Sequence, residues 1–306
     1  MDLSIIIPVY NEEESINKMY DILKKELKHI KNEIIFVNDG STDNSSNIID
    51  IIYNKNKNIK IINFSRNFGK DAAIYAGMEH ASGKYTAIID ADMQQNPKYL
   101  IEMFDFLENN INYDQVCMIP KKRKNIPLVK RIGGVLFYKL INKISTFKLK
   151  PNASDFRMFR NNIKEVILSL KENNRFSKEL FNWIGFETKY MEYDVEPRLY
   201  GKTKFNLKKS FEYALNGIIN YSTKPLILFI KIGLFSFLIS IIWLIILVIK
   251  SILIHTIYSK IAFALCIILL IFSFNISCIA ILNLYLKKIL EEVKKRPVYI
   301  IKDLKR

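Results

Sequence analysis

Leu3-Ser4-Ile5-Ile6-Ile7-Pro8-Val9, followed at once by Tyr10-Asn11-Glu12-Glu13-Glu14, is the stretch that decides the fold. The Ile and Val residues form an almost unbroken apolar run, the pattern of a strand buried on both faces of a sheet. Asn11 is placed to cap a helix, with Glu12, Glu13 and Glu14 in a first turn where the helix dipole favours acids. Apolar spacing then continues through Ile16, Met19, Tyr20, Leu23 and Leu27. Outward from this unit the pattern repeats. A strand over 33–37 stops at Asn38-Asp39-Gly40-Ser41, and a helix starts after Thr42-Asp43. A strand over 59–64, a helix over 71–81 and a strand over 85–89 follow. Such alternation predicts an α/β fold, with a mostly parallel sheet and helices on both faces. Ligands of these sheets bind outside the carboxyl ends of the strands. Tyr10, Asp39, Asp90 and Asp92 all fall at those ends.

The whole chain of 306 residues has room for one such domain and something smaller. Half of the residues are hydrophobic and a quarter are charged, and the apolar ones are concentrated from residue 226 onward. Segments 226–249, with the single charge Lys231, and 261–286, with none, are each long enough to cross a bilayer. Before them, 205–225 is amphipathic: Phe205, Leu207, Phe211, Ala214, Leu215 and Ile218 oppose Lys208, Lys209 and Glu212. That pattern suits a helix lying in the membrane interface or one packed on the soluble domain. The basic flanks, Lys202 to Lys224 on one side and Lys287 to Arg296 on the other, outnumber the two lysines of the intervening loop. By the positive-inside rule, both termini and the α/β domain lie on the cytoplasmic side of the cell's inner membrane. The expected organisation is a domain over 1–204, a juxtamembrane helix over 205–225, a two-helix hairpin over 226–286 and a basic tail over 287–306. The early run into a strand at Ser4, without a basic n-region or a cleavage site, leads us to expect no signal peptide.

A net charge of +16 calls for anionic partners. Zinc-finger spacing, RNA-binding aromatic signatures and basic zippers are absent, so the expectation is membrane lipid and phosphorylated substrates and no nucleic acid. Cys117, Cys266 and Cys278 have neither metal nor disulfide spacing. His29, His80 and His255 are scattered without ligand spacing.

Asp90-Ala91-Asp92 places two carboxylates just past a buried strand, an oxygen-rich pair that suits Mg²⁺ or Mn²⁺ with substrate phosphates completing the shell. Alone it is a weak signal. Its company is Ile6-Ile7-Pro8-Val9-Tyr10-Asn11-Glu12-Glu13, Val37-Asn38-Asp39-Gly40-Ser41-Thr42-Asp43, Ser65-Arg66-Asn67-Phe68-Gly69-Lys70 and Met93-Gln94. On these motifs the chain resembles family-2 glycosyltransferases of the GT-A fold. More narrowly, it resembles the polyprenyl-phosphate glycosyltransferases, over roughly 3–226.

The resemblance implies inverting transfer of a hexose or N-acetylhexosamine from a nucleotide-diphosphate sugar, UDP-linked by preference, to undecaprenyl phosphate. It implies that Pro8, Tyr10 and Glu12 line the nucleotide pocket, that Asp39 reads the base, and that Lys70 lies in a loop beside the nucleotide. Asp90 would contact ribose or metal, Asp92 would ligate the metal and Gln94 would support it. Ser154-Asp155-Phe156-Arg157 matches an element in which Asp155 is the general base or orients the acceptor phosphate. Lys121, Arg123, Lys130 and Arg131 are candidates to hold that phosphate, and Arg198 to clamp the diphosphate. Related members imply assembly as a dimer or tetramer. Arg175-Phe176 with Trp183, Gly185 and Phe186 reads as core packing or as a wall of the acceptor cleft. Three departures stand out: Ser154 replaces a usual Gly, Gln95 a usual acid, and Asn96-Pro97 a usual Pro pair. Transfer to another envelope acceptor and a non-catalytic nucleotide-sugar-binding module are the alternatives.

Overall fold

The computed structural model describes residues 1–121, 150, 153–170, 172, 177–197, scattered helical positions between 231 and 249, and 258–306. The expected helix at 205–225 lies outside the described residues. By their internal packing the residues form two units. One holds 1–142, 147–207 and 295–306, the other 143–146 and 208–294.

The first unit is an α/β domain. Its elements run β1 (Leu3–Val9), α1 (Ile16–Glu26), β2 (Asn32–Asn38), α2 (Ser45–Lys55), β3 (Ile59–Phe64), α3 (Lys70–His80) and β4 (Tyr85–Ile88). Then come α4 (Lys98–Asn109), β5 (Gln115–Pro120), β6 (Arg157–Arg160), α5 (Asn161–Ser169), α6 (Ser177–Trp183), β7 (Thr188–Tyr193) and, from the chain's end, β8 (Ile301–Lys305). The strands form one sheet in the order β7-β5-β6-β4-β1-β2-β3-β8. β1 pairs in parallel with β2 and β4, as do β2 with β3 and β5 with β7. β6 runs antiparallel to β4 and β5, and β8 antiparallel to β3. The α/β architecture with a mostly parallel sheet is therefore as the sequence predicts.

β1 is central, and its alternate side chains go to opposite faces, as a strand requires. Leu3, Ile5, Ile7 and Val9 pack with residues of α1, α2 and α4 in one core, while Ile6 joins Ala73, Ile74 and Phe159 in the other. A Cβ on Gly77 of α3 would come within 2.4 Å of Ile6, so the absent side chain lets α3 close on the sheet. Pro8 sits inside this strand without penalty. Ile6 accepts from Ile89 on the β4 side, so residue 8 points the same way. β4 pairs with β1 only as far as Ile6–Ile88, so no partner there needs an N–H from position 8.

The amino-terminal end of the sheet carries a buried charge. Glu33, 2 % exposed, accepts from Ser4 Oγ at 2.5 Å and Ser82 N at 2.7 Å, and pairs with Lys60 Nζ at 2.8 Å. Burial pushes its carboxyl up, and the bonds from Lys60, Ser4 and Ser82 more than reverse this, leaving it below its ordinary 4.5. The stabilisation is thus complete above the ordinary value and disappears as pH falls through the lower folded value. We expect the denaturation midpoint to drop below about pH 4.5 and the slope to be shallower in Glu33→Gln. A midpoint equally sensitive to acid in both proteins contradicts this.

Two expectations are corrected. Asn11 does not cap α1: the helix begins at Ile16 after Ser15, with no acidic residue in its first turn. And 301–305, expected within a basic tail, is a strand of the sheet. Tyr299 stacks on Phe64 at 4.9 Å, Ser65 N donates to Ile300 O at 3.0 Å, and Lys305 pairs with Asp50 at 2.7 Å.

The described part of the second unit includes α7 (Tyr258–Val293), a helix of 36 residues. Its residues Ile261, Leu265, Ile268, Phe272, Ile276, Ile279, Leu282 and Leu286 recur every third or fourth position and are all exposed. Several α7 side chains lie outside the described ones. Among the described residues no helix is long and apolar enough to cross a membrane.

Candidate active site

The chain passes from β1 to β2 to β3 on one side of β1 and then returns to β4 on the other. That reversal makes a topological switch point at the carboxyl ends of β1 and β4, where an open α/β sheet leaves a crevice. Five loops meet around it, those that follow β1, β2, β3 and β4 and the one that precedes β6.

The first two loops are tied together. Asn11, in a left-handed conformation at φ 54, accepts at Oδ1 from Thr42 N at 2.8 Å, and its own N donates to Ser41 Oγ at 3.1 Å. Glu12 N donates to Ser45 Oγ at 3.0 Å, and Asn44 N to Glu13 Oε2 at 2.8 Å. Asn and acidic residues here serve as crosslinks between strand ends. Tyr10 is left exposed beside them.

Asp39 directly follows β2 and is buried. Its Oδ1 accepts from Phe68 N at 2.6 Å and its Oδ2 from Gly69 N at 3.0 Å. Burial pushes its carboxyl above the ordinary 3.8, opposed by these two N–H groups and by Arg66. Asp39 therefore anchors the 65–70 loop, and only its remaining lone pairs are left for a base. Gly40 lets the loop approach: at φ +66, any Cβ would lie 2.5 Å from the Arg66 carbonyl carbon.

The loop after β4 carries Asp90, Asp92 and Gln94. Asp92 Oδ1 accepts from Gln94 N at 3.1 Å, and Met93 between them is left-handed at φ 63. A left-handed buried methionine is strained backbone of the kind found where a loop is over-determined for function. Gln95, 5 % exposed, grips Asp90 twice: it accepts from Asp90 N at 2.8 Å and donates to Asp90 Oδ2 at 2.9 Å. Sequence reasoning marks Gln95 only as a departure and misses this role. Its signal is a neutral amide five residues past Asp90 where the resemblance leads one to expect an acid. We expect Gln95→Ala to weaken donor binding about tenfold, the value of one hydrogen bond to a charged group. Isothermal titration with nucleotide and metal checks it.

The last loop precedes β6. Ile88 pairs with Arg157, and continuing that antiparallel register two residues brings Asp90 opposite Asp155. Lys70, opening α3, bridges the two carboxylates, its Nζ 2.5 Å from Asp90 Oδ1 and 3.0 Å from Asp155 Oδ2. Burial pulls the ammonium down. The charges of Asp155 and Asp90 and their hydrogen bonds more than reverse this and hold Lys70 protonated far above the neutral range. Arg157 supports the loop from below. It is buried, stacks on Phe181 at 4.1 Å and donates from Nη2 to Ser154 O at 2.9 Å. Ser154 Oγ in turn donates to Met118 O at 2.6 Å, a bond that the usual Gly could not make.

Of the other expected site residues, Lys121 stands at the end of β5, half exposed, with its ammonium 2.9 Å from Asp194. Arg123, Lys130, Arg131 and Arg198, together with Arg175 and Phe176, lie outside the described residues. Glu196 N donates to Gln94 O at 3.1 Å, so residue 196 lies beside the loop of Asp90, Asp92 and Gln94. Trp183 is 53 % exposed and so is not core, whereas Phe186 packs on the second core.

Among the described residues no group of three or more His, Cys, Asp or Glu is arranged to hold a metal ion. The donor set nevertheless fits one. Asp90, Asp92 and Gln94 offer hard oxygens, and the Lys70 ammonium against Asp90 marks a place for positive charge. Two carboxylates are too few for a protein-only cage and suit Mg²⁺ or Mn²⁺ shared with phosphates.

A switch-point crevice with this acidic loop and an anchored loop beside it defines an α/β transferase of the GT-A type. Glucosyl-3-phosphoglycerate synthase from Mycobacterium tuberculosis, solved with Mn²⁺, UDP and phosphoglyceric acid, shares the fold. Its TM-score is 0.52 at 16% identity, covering 71% of this chain and 76% of that one. The putative glycosyltransferase CsbB of Bacillus subtilis is 37% identical over 311 residues, 98% of this chain and 91% of its own. The SfII prophage-derived bactoprenol glucosyl transferase of Shigella flexneri is 36% identical over 304 residues, 99% of this chain and 98% of its own. The sequence also matches the glycosyl transferase family 2 profile over residues 4–168. The chain belongs to glycosyl transferase family 2, and it is a glycosyltransferase.

Proposed function

We propose that the protein transfers a hexose, or an N-acetylhexosamine, from a nucleotide-diphosphate sugar to a polyprenyl phosphate at a membrane surface. The observation that carries this is Asp155 opposite Asp90 at the mouth of the switch point, with Lys70 between them. The resemblance to bactoprenol glucosyl transferases, which extends over nearly the full length of both chains, supports the lipid acceptor and favours glucose as the sugar.

In this reading Tyr10, Glu12 and the Asp39-anchored loop receive the nucleotide. Asp90, Asp92 and Gln94 would hold Mg²⁺ or Mn²⁺. When bound, the ion supplies positive charge to the diphosphate as it leaves. A phosphate oxygen of the acceptor attacks the anomeric carbon, the bond from that carbon to the diphosphate oxygen breaks, and the configuration inverts. The acceptor is already an anion, so it needs little deprotonation. The harder task is bringing two anions together, and cations do that. Lys70 contributes one charge, and the basic residues Lys121, Arg123, Lys130, Arg131 and Arg198 are the candidates for the rest. Asp155 holds Lys70 and orients the acceptor.

The membrane reading rests on the uncharged 261–286, on 226–249 and on the exposed apolar stripe of α7, larger than a soluble protein leaves uncovered. Residues 207 and 295 both belong to the α/β unit. A chain that leaves one compact unit and returns to it crosses a bilayer an even number of times, which favours a two-helix hairpin with both termini on the cytoplasmic face. A product test follows from inversion: an α-linked donor gives a β-linked lipid phosphate sugar, read from its anomeric proton coupling. An α-linked product overturns the direct-attack mechanism.

A further inference from the structure

We propose that Lys70 is the resident counter-ion of the active site, which the divalent cation must displace from Asp90 and which the arriving nucleotide diphosphate then receives. This rests on the reading above and adds to it an order of events: metal binds weakly alone and tightly with nucleotide.

The reason is competition for one oxygen. Asp90 has two carboxylate oxygens, and Gln95 Nε2 holds Oδ2 at 2.9 Å. The other, Oδ1, is the one Lys70 Nζ contacts at 2.5 Å. A cation held by Asp90 would therefore meet the ammonium at the oxygen that Gln95 leaves open. The same ammonium also reaches Asp155, which the continued β4–β6 register sets opposite Asp90, and a cation between two facing carboxylates offsets their repulsion.

Lys70 is also built to leave. Its stem is flexible, and two-fifths of its side chain is exposed, although its tip lies between the two carboxylates. It stands directly after Gly69, whose N–H is held by Asp39 Oδ2 at 3.0 Å. The loop that meets the nucleotide thus carries the ammonium at its end. An entering diphosphate would offer Lys70 a new anion in place of Asp90, so that metal and nucleotide would each favour the other by the same factor.

The test is titration of the full-length protein with MnCl₂ alone, with free Mn²⁺ read by electron paramagnetic resonance, repeated with UDP and with GDP. Lys70→Met is expected to bind Mn²⁺ alone about tenfold more tightly than the wild type, because a like charge has been removed beside the site. Lys70→Gln should do the same and stands in if the methionine variant does not fold. Lys70→Arg, which keeps the charge, should bind as weakly as the wild type. Nucleotide should tighten Mn²⁺ binding more in the wild type than in either neutral variant. Equal Mn²⁺ affinity in the wild type and the neutral variants, with all of them binding Mn²⁺ in the presence of nucleotide, overturns the counter-ion role and leaves the metal-nucleotide reading standing. No Mn²⁺ binding by any of them, with or without UDP or GDP, overturns both.

Discussion

Asp155→Asn is expected to lower turnover by about 10²-fold, the cost of misplacing a reactant that a positioned group orients. Donor affinity should change by less than about threefold, because the group acts on the transition state and the acceptor. The structure gives the reason. Asp155 shares the Lys70 ammonium with Asp90, which it faces through the register of β4 and β6. The amide keeps the shape and one oxygen but removes the charge that holds the ammonium in line. The Ser154 and Arg157 bonds that build the loop use backbone carbonyls of Met118 and Ser154, so the loop itself should survive. Steady-state rates at saturating donor, with varied polyprenyl phosphate, decide it. An unimpaired Asp155→Asn enzyme removes Asp155 from the mechanism.

Asp92→Ala should abolish metal-dependent nucleotide binding and reduce turnover by about 10²- to 10³-fold, as expected when one preorganised electrostatic contact to a leaving group is lost. The local cost in stability should be small, about 1 kcal/mol, because the bond from Gln94 N to Asp92 Oδ1 spans a single turn. The ratio matters: a large loss of UDP binding in the presence of Mn²⁺, with a melting temperature close to wild type, points to a ligand, whereas loss of both points to a fold residue. Retained metal-dependent binding would contradict the assignment of Asp92.

The sheet was legible because its central strands are buried on both faces, and an almost unbroken apolar run such as 3–9, too short to span a membrane, fits such a strand. The acidic pair was legible because it follows such a strand. What sequence could not show is which partner each polar group takes. Asn11 reads as a helix cap by local pattern, yet its partners Ser41 and Thr42 are about thirty residues away. Asp39 reads as a base contact, yet backbone amides of the 68–69 turn occupy both of its oxygens. Gln95 looks like a departure from pattern, and only packing reveals it as the group that grips Asp90. β8 was hidden by its composition and its distance along the chain. Ile301-Lys302-Asp303-Leu304-Lys305 is charged and half exposed, as an edge strand is, and its partner β3 lies more than two hundred residues earlier.

Transfer to a polyprenyl phosphate is tested by a donor panel. Purified protein with Mn²⁺ or Mg²⁺ and undecaprenyl phosphate is offered UDP- and GDP-linked hexoses and N-acetylhexosamines, and consumption of each donor is measured with and without the lipid. We expect one donor to be consumed, only when the polyprenyl phosphate is present, with release of the nucleotide diphosphate and formation of a lipid-linked phosphate sugar. Glycosylation of a soluble acceptor while the polyprenyl phosphate stays unmodified would contradict the proposed reaction.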